Sequence, residues 1–201
     1  MRIAITGTTS GLGAELKNIL EKDNEVISIN RDSFLNLDLL DLSSVDILIN
    51  NAGHSNGGGV GFKSHKQEQW QSIVDINFVV PILLTQKFIN QNALGKIVFI
   101  TSKAIEKNLG GDSVYSGSKA GLSTFISCMR DELKGSNYKL IEIRPGRIRT
   151  EFAKNRNIHS EDILEHFYDN MAHMSVTEVA NSIIFAINSN TIELISLARN
   201  Q

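Results

Sequence analysis

RIAITGTTSGLGAELKNIL, residues 2–20, joins an apolar run, a glycine-rich turn and an amphipathic segment. Its first five residues are apolar and β-branched enough for a buried strand. Leu12, Leu16, Ile19 and Leu20 then recur at i, i+4, i+7 and i+8, which is one face of a helix. Between them lies TGTTSGLG, residues 6–13, with glycines at 7, 11 and 13. Glycine tolerates positive φ and close backbone approach, so such a turn can offer amides to a phosphate at the start of the following helix. A dinucleotide pyrophosphate suits that arrangement, with Gly7, Thr9, Ser10, Gly11, Leu12 and Gly13 as candidate contacts. The spacing differs from G-x-G-x-x-G and from the triphosphate-binding sequence ending in Gly-Lys-Ser/Thr.

The rest of the chain repeats this alternation. EVISI (25–29), DILIN (46–50), KIVFI (96–100) and KLIEI (139–143) read as further buried strands, with a weaker strand at 192–197. Helices are expected over 70–92 despite Pro81, over 116–134 with a stripe of Leu122, Phe125, Met129 and Leu133, and over 178–187. FLNL (34–37) also reads as a strand, yet the next one begins at Asp46 and a parallel crossover takes about a dozen residues. Only a turn or two of irregular helix spans that gap. Alternating strands and helices imply an α/β fold, a mostly parallel, doubly wound sheet covered on both faces. No repeat, low-complexity tract or Pro-rich linker divides the chain, so residues 1–201 are read as a single domain.

Hydrophobic content of 41%, charged content of 21% and a formal net charge of −2 describe an ordinary globular chain. With no basic excess, nucleic acid is not an expected partner. Cys128, the single cysteine, lies in FISCM and is expected to be a small core hydrophobe. The N-terminus lacks the pattern of a secretory signal, and no uninterrupted apolar run reaches the roughly 18 residues of a membrane span. No membrane partner and a cytoplasmic location are the resulting expectations.

TGTTSGLG, NNAG at 50–53, Asn77, Ser102, Tyr115-x-x-x-Lys119 and PGRIRT at 145–150 occur in an order that resembles the short-chain dehydrogenase/reductase family. The likeness runs from residue 3 to about residue 152. It implies a Rossmann fold, a nicotinamide dinucleotide and hydride transfer between that cofactor and a small-molecule carbonyl or alcohol. It also implies a homodimer or homotetramer built on the helices at 70–92 and 116–134, and a substrate lid near 151–175.

Reducing a ketone requires hydride on carbon and a proton on oxygen, so a proton donor must stand close to the developing alkoxide. Free tyrosine has a pKa of about 10, too high for easy exchange at neutral pH. A lysine ammonium one helical turn away, together with a cationic oxidised nicotinamide, favours the phenolate. Tyr115 is thus the candidate general acid/base and Lys119 its tuning cation. By the resemblance, Lys119 also holds the nicotinamide ribose, Ser102 bonds and orients the substrate carbonyl, and Asn77 orders a water in a proton relay. Taken singly, Ser102 reads as a turn cap, Asn77 as a backbone partner, Tyr115 as packing and Lys119 as a solvated charge. Their joint occurrence favours the catalytic reading.

NNAG is expected to pass the adenine ribose, with Asn51 bonding across strands or to the cofactor, Ala52 beside it, and Gly53 admitting the backbone. In PGRIRT, Pro145 and Gly146 turn the backbone beside the nicotinamide, and Ile148 and Thr150 resemble residues that bind its carboxamide. Asp38 matches the family's adenine contact. Strand EVISI is followed by Asn30 and Arg31 rather than the acidic side chain that selects a ribose 2′-hydroxyl, so NADP(H) is favoured and NAD(H) remains the alternative. His159, His166 and His173 fall seven apart; on a helix that separates neighbours by about 10 Å, too far to share one ion, so no metal is expected. A non-catalytic dinucleotide-binding regulator or scaffold is the competing function. It would keep the glycine turn and lose the chemistry.

Overall fold

The computed structural model describes residues 1–55, 62–106, 112–149 and 173–198. Six strands form one sheet: β1 (Arg2–Thr6), β2 (Glu25–Ile29), β3 (Ile47–Asn50), β4 (Gly95–Ile100), β5 (Tyr138–Pro145) and β6 (Leu194–Leu197). Their order is β2-β1-β3-β4-β5-β6 and every pair is parallel, with Ile3 opposite both Val26 and Ile47. β3 is buried along its whole length, whereas β2 and β6 form the edges and are partly exposed. The order reverses between β1 and β3, and a crevice opens beyond the carboxyl ends of strands at such a switch point.

Alternation along each strand sends side chains to two separate cores. On one side, Ile3, Ile5, Ile49 and Ile143 meet Leu12, Leu16 and Leu20 of α1 (Gly11–Leu20) and Val179, Ile183 and Ile187 of α6 (Val176–Asn188). On the other, Ala4, Leu48, Ile97, Phe99 and Leu140 meet Leu84 and Phe88 of α4 (Val80–Gln91) and Leu122 and Ile126 of α5 (Ser113–Glu132). The helix before α4 begins as α3 (Gln67–Val74) and widens into a single π turn over Asp75–Val79. In that turn Val80 N–H donates to Asp75 O, five residues back. Pro81 follows and has no N–H to continue an α-helical ladder, so the wide turn falls where the chain loses a donor. Gln67–Gln91 as a whole has the length and hydropathy of a membrane span, but Ile73, Val80, Leu84 and Phe88 turn its apolar stripe onto the sheet.

Two expectations are corrected. FLNL is not a strand: residues 31–35 form the short helix α2 (Arg31–Leu35), and Leu37–Leu39 a 3-10 turn. Asn30 O accepts from both Ser33 and Phe34 N–H, so the backbone closes into a helical turn directly after β2. Phe34 and Leu37 find apolar contact against the second core without any strand partner. The crossover from β2 to β3 therefore runs from residue 30 to residue 46, long enough for a parallel connection. Cys128 is exposed rather than buried. It lies about 200° around the helix from the buried Ile126, so its apolar neighbours face the core while it faces out.

Candidate active site

The glycine turn sits at the carboxyl end of β1. Gly7 N–H donates to Ile29 O at 3.0 Å and its φ is +70°, a conformation open to glycine. A Cβ on Gly13 would stand 2.0 Å from Gly7 O, so α1 presses onto the turn in a way that no larger residue permits. Thr9, Ser10, Gly11 and Leu12 lead into the helix, whose N-cap Ser10 makes no side-chain cap bond. The first-turn N–H groups have no partners within the helix and are available to an anion.

Asn30 stabilises the turn from β2: its Oδ1 accepts from both Thr8 N–H and Thr8 Oγ1, each at 3.2 Å. Arg31 next to it is exposed in the first turn of α2. From β3, Asn51 Nδ2 donates to Thr6 O at 2.9 Å and Gly7 O at 3.3 Å. Thr6 Oγ1 accepts the N–H groups of Asn51 and Ala52, both at 2.8 Å. Of the two roles expected for Asn51, the structure displays the bond across strands. Asp38 is exposed on the 3-10 turn, where its carbonyl accepts from Lys87 Nζ at 3.4 Å.

The second half of the site gathers around Gly53. A Cβ there would lie 3.0 Å from Asn77 Oδ1 and 3.2 Å from Lys119 Nζ, so three segments distant in sequence converge on one glycine. Asn77, wholly buried in the π turn, receives His54 N–H at 2.9 Å and donates to His54 O at 2.9 Å. It also donates to Ser118 Oγ at 3.1 Å, and Ser118 Oγ donates to Tyr115 O at 2.7 Å. Lys119 is 4% exposed and donates to Ile100 O at 2.8 Å, two residues before Ser102. Burial lowers its ammonium pKa from 10.5 to about 8. An ammonium has three donors, and the bond to Ile100 is its one hydrogen bond among the described residues.

Tyr115 is half-buried in the first turn of α5, so the Tyr115–Lys119 spacing does fall on one helix. Ser102 lies two residues beyond β4, and its Oγ accepts from Ala104 N–H at 3.0 Å, capping the 3-10 turn Lys103–Glu106. Pro145 is still within β5, opposite Leu197; just beyond it Gly146 N–H donates to Leu197 O at 2.8 Å, and Ile148 bridges Met174. Thr150, His159, His166 and nearly all of the expected lid lie outside the described residues. No cluster of three metal-ligating side chains occurs among those described.

Sequence reading missed several participants. Thr6, Ser118 and His54 had no motif of their own that demanded a role, although each adjoins one that did. His54 Nε2 lies 3.0 Å from Ser72 Oγ, and burial first and the Arg31 charge second lower its pKa.

A family model described as short chain dehydrogenase matches residues 38–161, more than half of the chain. The chain belongs to the short-chain dehydrogenase family. The chain is 29% identical over 165 residues to a serine 3-dehydrogenase of Agrobacterium fabrum, covering 75% of the present chain and 63% of that protein. It is 30% identical over 186 residues to a 3-oxoacyl-(acyl-carrier-protein) reductase of Synechocystis, covering 91% and 70% respectively. The chain thus spans under two thirds of the length of the serine 3-dehydrogenase it matches. A solved structure of serine dehydrogenase in its closed form with NADP+ aligns with a TM-score of 0.87 at 20% identity, covering 99% of this chain and 95% of that one. That likeness establishes the shared Rossmann architecture.

Proposed function

We propose that this short-chain dehydrogenase is an NADP(H)-preferring oxidoreductase that interconverts a small-molecule ketone or aldehyde and its alcohol. The observation that carries the reading is the buried Lys119 ammonium, lowered to about 8 and held one helical turn from Tyr115. A buried lysine with no carboxylate partner among the described residues is expensive to keep, and such perturbed groups concentrate at reactive sites. The glycine turn and the Gly53 cradle fit a dinucleotide laid across the switch point: Gly7 to Gly13 would hold its pyrophosphate, and Lys119 its nicotinamide ribose. A reduced nicotinamide held there would supply the hydride that the carbonyl carbon needs.

Ser102 Oγ would donate to the carbonyl oxygen, fixing its direction. Tyr115 Oη would pass its proton to that oxygen as charge develops. Lys119 would stabilise the phenolate left behind, and Asn77 would hold the water that restores its proton. The reverse direction uses the same atoms, with the phenolate taking the alcohol proton. Arg31 supplies a guanidinium for a 2′-phosphate, with no acidic side chain at Asn30 to repel it. The serine 3-dehydrogenase and the oxoacyl reductase that resemble the chain, and the NADP+ held by the serine dehydrogenase structure, support this reading.

Oxidation of NADPH over a panel of aldehydes and ketones, with wild type and Tyr115→Phe, tests it. Turnover that drops about 10²- to 10⁴-fold in the variant is expected, with nucleotide binding kept. Nucleotide binding with no turnover of any substrate, in either direction, would favour a regulator or scaffold. Exposed Val79 and Leu83 on the outer side of the Gln67–Gln91 helix support assembly into a homodimer or homotetramer, which light scattering in solution distinguishes from a monomer. The exposed Cys128 thiol suits a reducing compartment such as the cytoplasm. Detection of the chain in a secreted fraction would remove that assignment.

A further inference from the structure

Beneath the Ser102 turn lies an ionic cluster that the proton-transfer scheme leaves unused. Glu142 on β5 is 1% exposed, on the sheet face that α5 covers. Its Oε1 accepts from Thr101 Oγ1 and from Arg144 Nε, both at 2.8 Å, and its Oε2 accepts from Arg144 Nη2 at 3.2 Å. Arg144 Nη2 also donates to Ser123 Oγ at 2.9 Å, and Nη1 lies 3.8 Å from Glu106 Oε1. Burial acts to raise the Glu142 pKa, but the bonds from Arg144 and Thr101 together outweigh it and the carboxyl stays below its ordinary range.

The partners of this pair are distributed around the candidate catalytic groups. Thr101 immediately precedes Ser102, and Glu106 closes the 3-10 turn that follows it. Ser123 lies one helical turn beyond Lys119, on the helix that carries Tyr115. One guanidinium thus joins the loop of the expected carbonyl-binding hydroxyl to the helix of the proton donor. Holding the layers together does not require this chemistry, because well-packed apolar residues in place of a buried ion pair are often neutral or stabilising. A planar fork with fixed donor directions does more than pack: it sets the orientation of three separate elements.

We infer that Arg144 and Glu142 are positioning residues, which fix the Ser102 hydroxyl against Tyr115 and Lys119 so that one carbonyl oxygen meets both donors. The inference rests on the reaction proposed above. Neither side chain touches the reacting atoms. Their effect is exerted through Thr101 and Glu106 on one side and Ser123 on the other.

The test is a double-mutant cycle of Arg144→Met with Ser102→Ala, using the substrate that wild type reduces best, with Arg144→Lys as the conservative variant. Arg144→Met is expected to lower kcat about 10- to 100-fold, the scale of a misplaced group, while the NADPH Kd from nucleotide fluorescence changes less than about twofold. Arg144→Lys should recover part of the loss. In the Ser102→Ala background the same Arg144→Met change should cost less than about threefold, because no hydroxyl remains to be positioned. Equal losses in both backgrounds, or NADPH binding weakened as much as kcat, would overturn the inference and assign the cluster to stability alone. Should Arg144→Met fail to fold, Glu142→Gln enters the same cycle with the same expected non-additivity. If wild type turns over no carbonyl or alcohol, the proposed reaction fails and takes this inference with it. Wild-type turnover with additive losses removes this inference only.

Discussion

The two layers that cover the sheet differ in kind. α1 and α6 bury Leu12, Gly13, Leu16 and Leu20, and Val179, Ala180, Ile183, Ala186 and Ile187, with no polar side chain among them. The opposite layer buries Asn77, Thr85, Ser118, Lys119 and Glu142 among its hydrophobic residues. One face is therefore free to maximise stability. The other carries groups whose burial costs stability, and it carries the candidate chemistry.

Truncating Leu16, which is fully buried on the apolar face, tests that division most severely. Leu16→Ala is expected to lower unfolding free energy by about 2–5 kcal/mol in urea titrations, while kcat of the remaining folded enzyme stays near wild type. A kcat loss as large as the stability loss would show that the two faces do not act separately. At the start of α2, Arg31→Ala should weaken NADPH binding about tenfold, or about 1.4 kcal/mol, and leave NADH binding nearly unchanged. Equal losses for the two nucleotides would remove the phosphate-recognition argument.

Lys119→Met should move stability in the other direction, by less. The folded-state ammonium pKa of about 8 lies below its ordinary 10.5, so the unfolded chain holds this proton more tightly. Stability then rises with pH between those values, and below about 8 the buried charge costs about 3 kcal/mol. Removing the amine relieves that cost but leaves the Ile100 carbonyl without its donor, which takes back about 1–3 kcal/mol. A net gain of about 1 kcal/mol at neutral pH is expected, becoming a loss above pH 10.5, with turnover greatly reduced. Urea titrations at the two pH values measure it; a large loss of stability at pH 7 would contradict the assigned burial cost.

Much of the fold was legible because it rests on local patterns. RIAIT, the glycine turn and the Leu12–Leu16 stripe announce strand, turn and helix within 20 residues. FLNL misleads because apolar residues such as Phe34 and Leu37 suit helical turns packed on the core as well as they suit a strand. Cys128 misleads because apolar neighbours do not say which way one position on a helix faces. In the candidate site, the spacing of Tyr115 and Lys119 says only that the two are neighbours on one helix, as they are, and Asn77 and Ser102 enter through the family pattern. Ser118, Thr6 and the Glu142–Arg144 pair are not, because what they do depends on partners about 20 to 45 residues away in the chain. The π turn that sets Asn77 is equally silent in sequence, apart from Pro81 beside it.

The pH dependence of kcat/KM for carbonyl reduction tests directly whether Tyr115 gives its proton under the influence of the Lys119 charge. Reduction needs both the phenolic proton and the ammonium, and each is lost as pH rises, so the rate should fall on the alkaline side. The expected midpoint is near the lysine value of about 8, read as a property of the coupled pair. A profile flat from about pH 6 to about pH 10 would contradict the account, since neither group could then be titrating in the reacting enzyme.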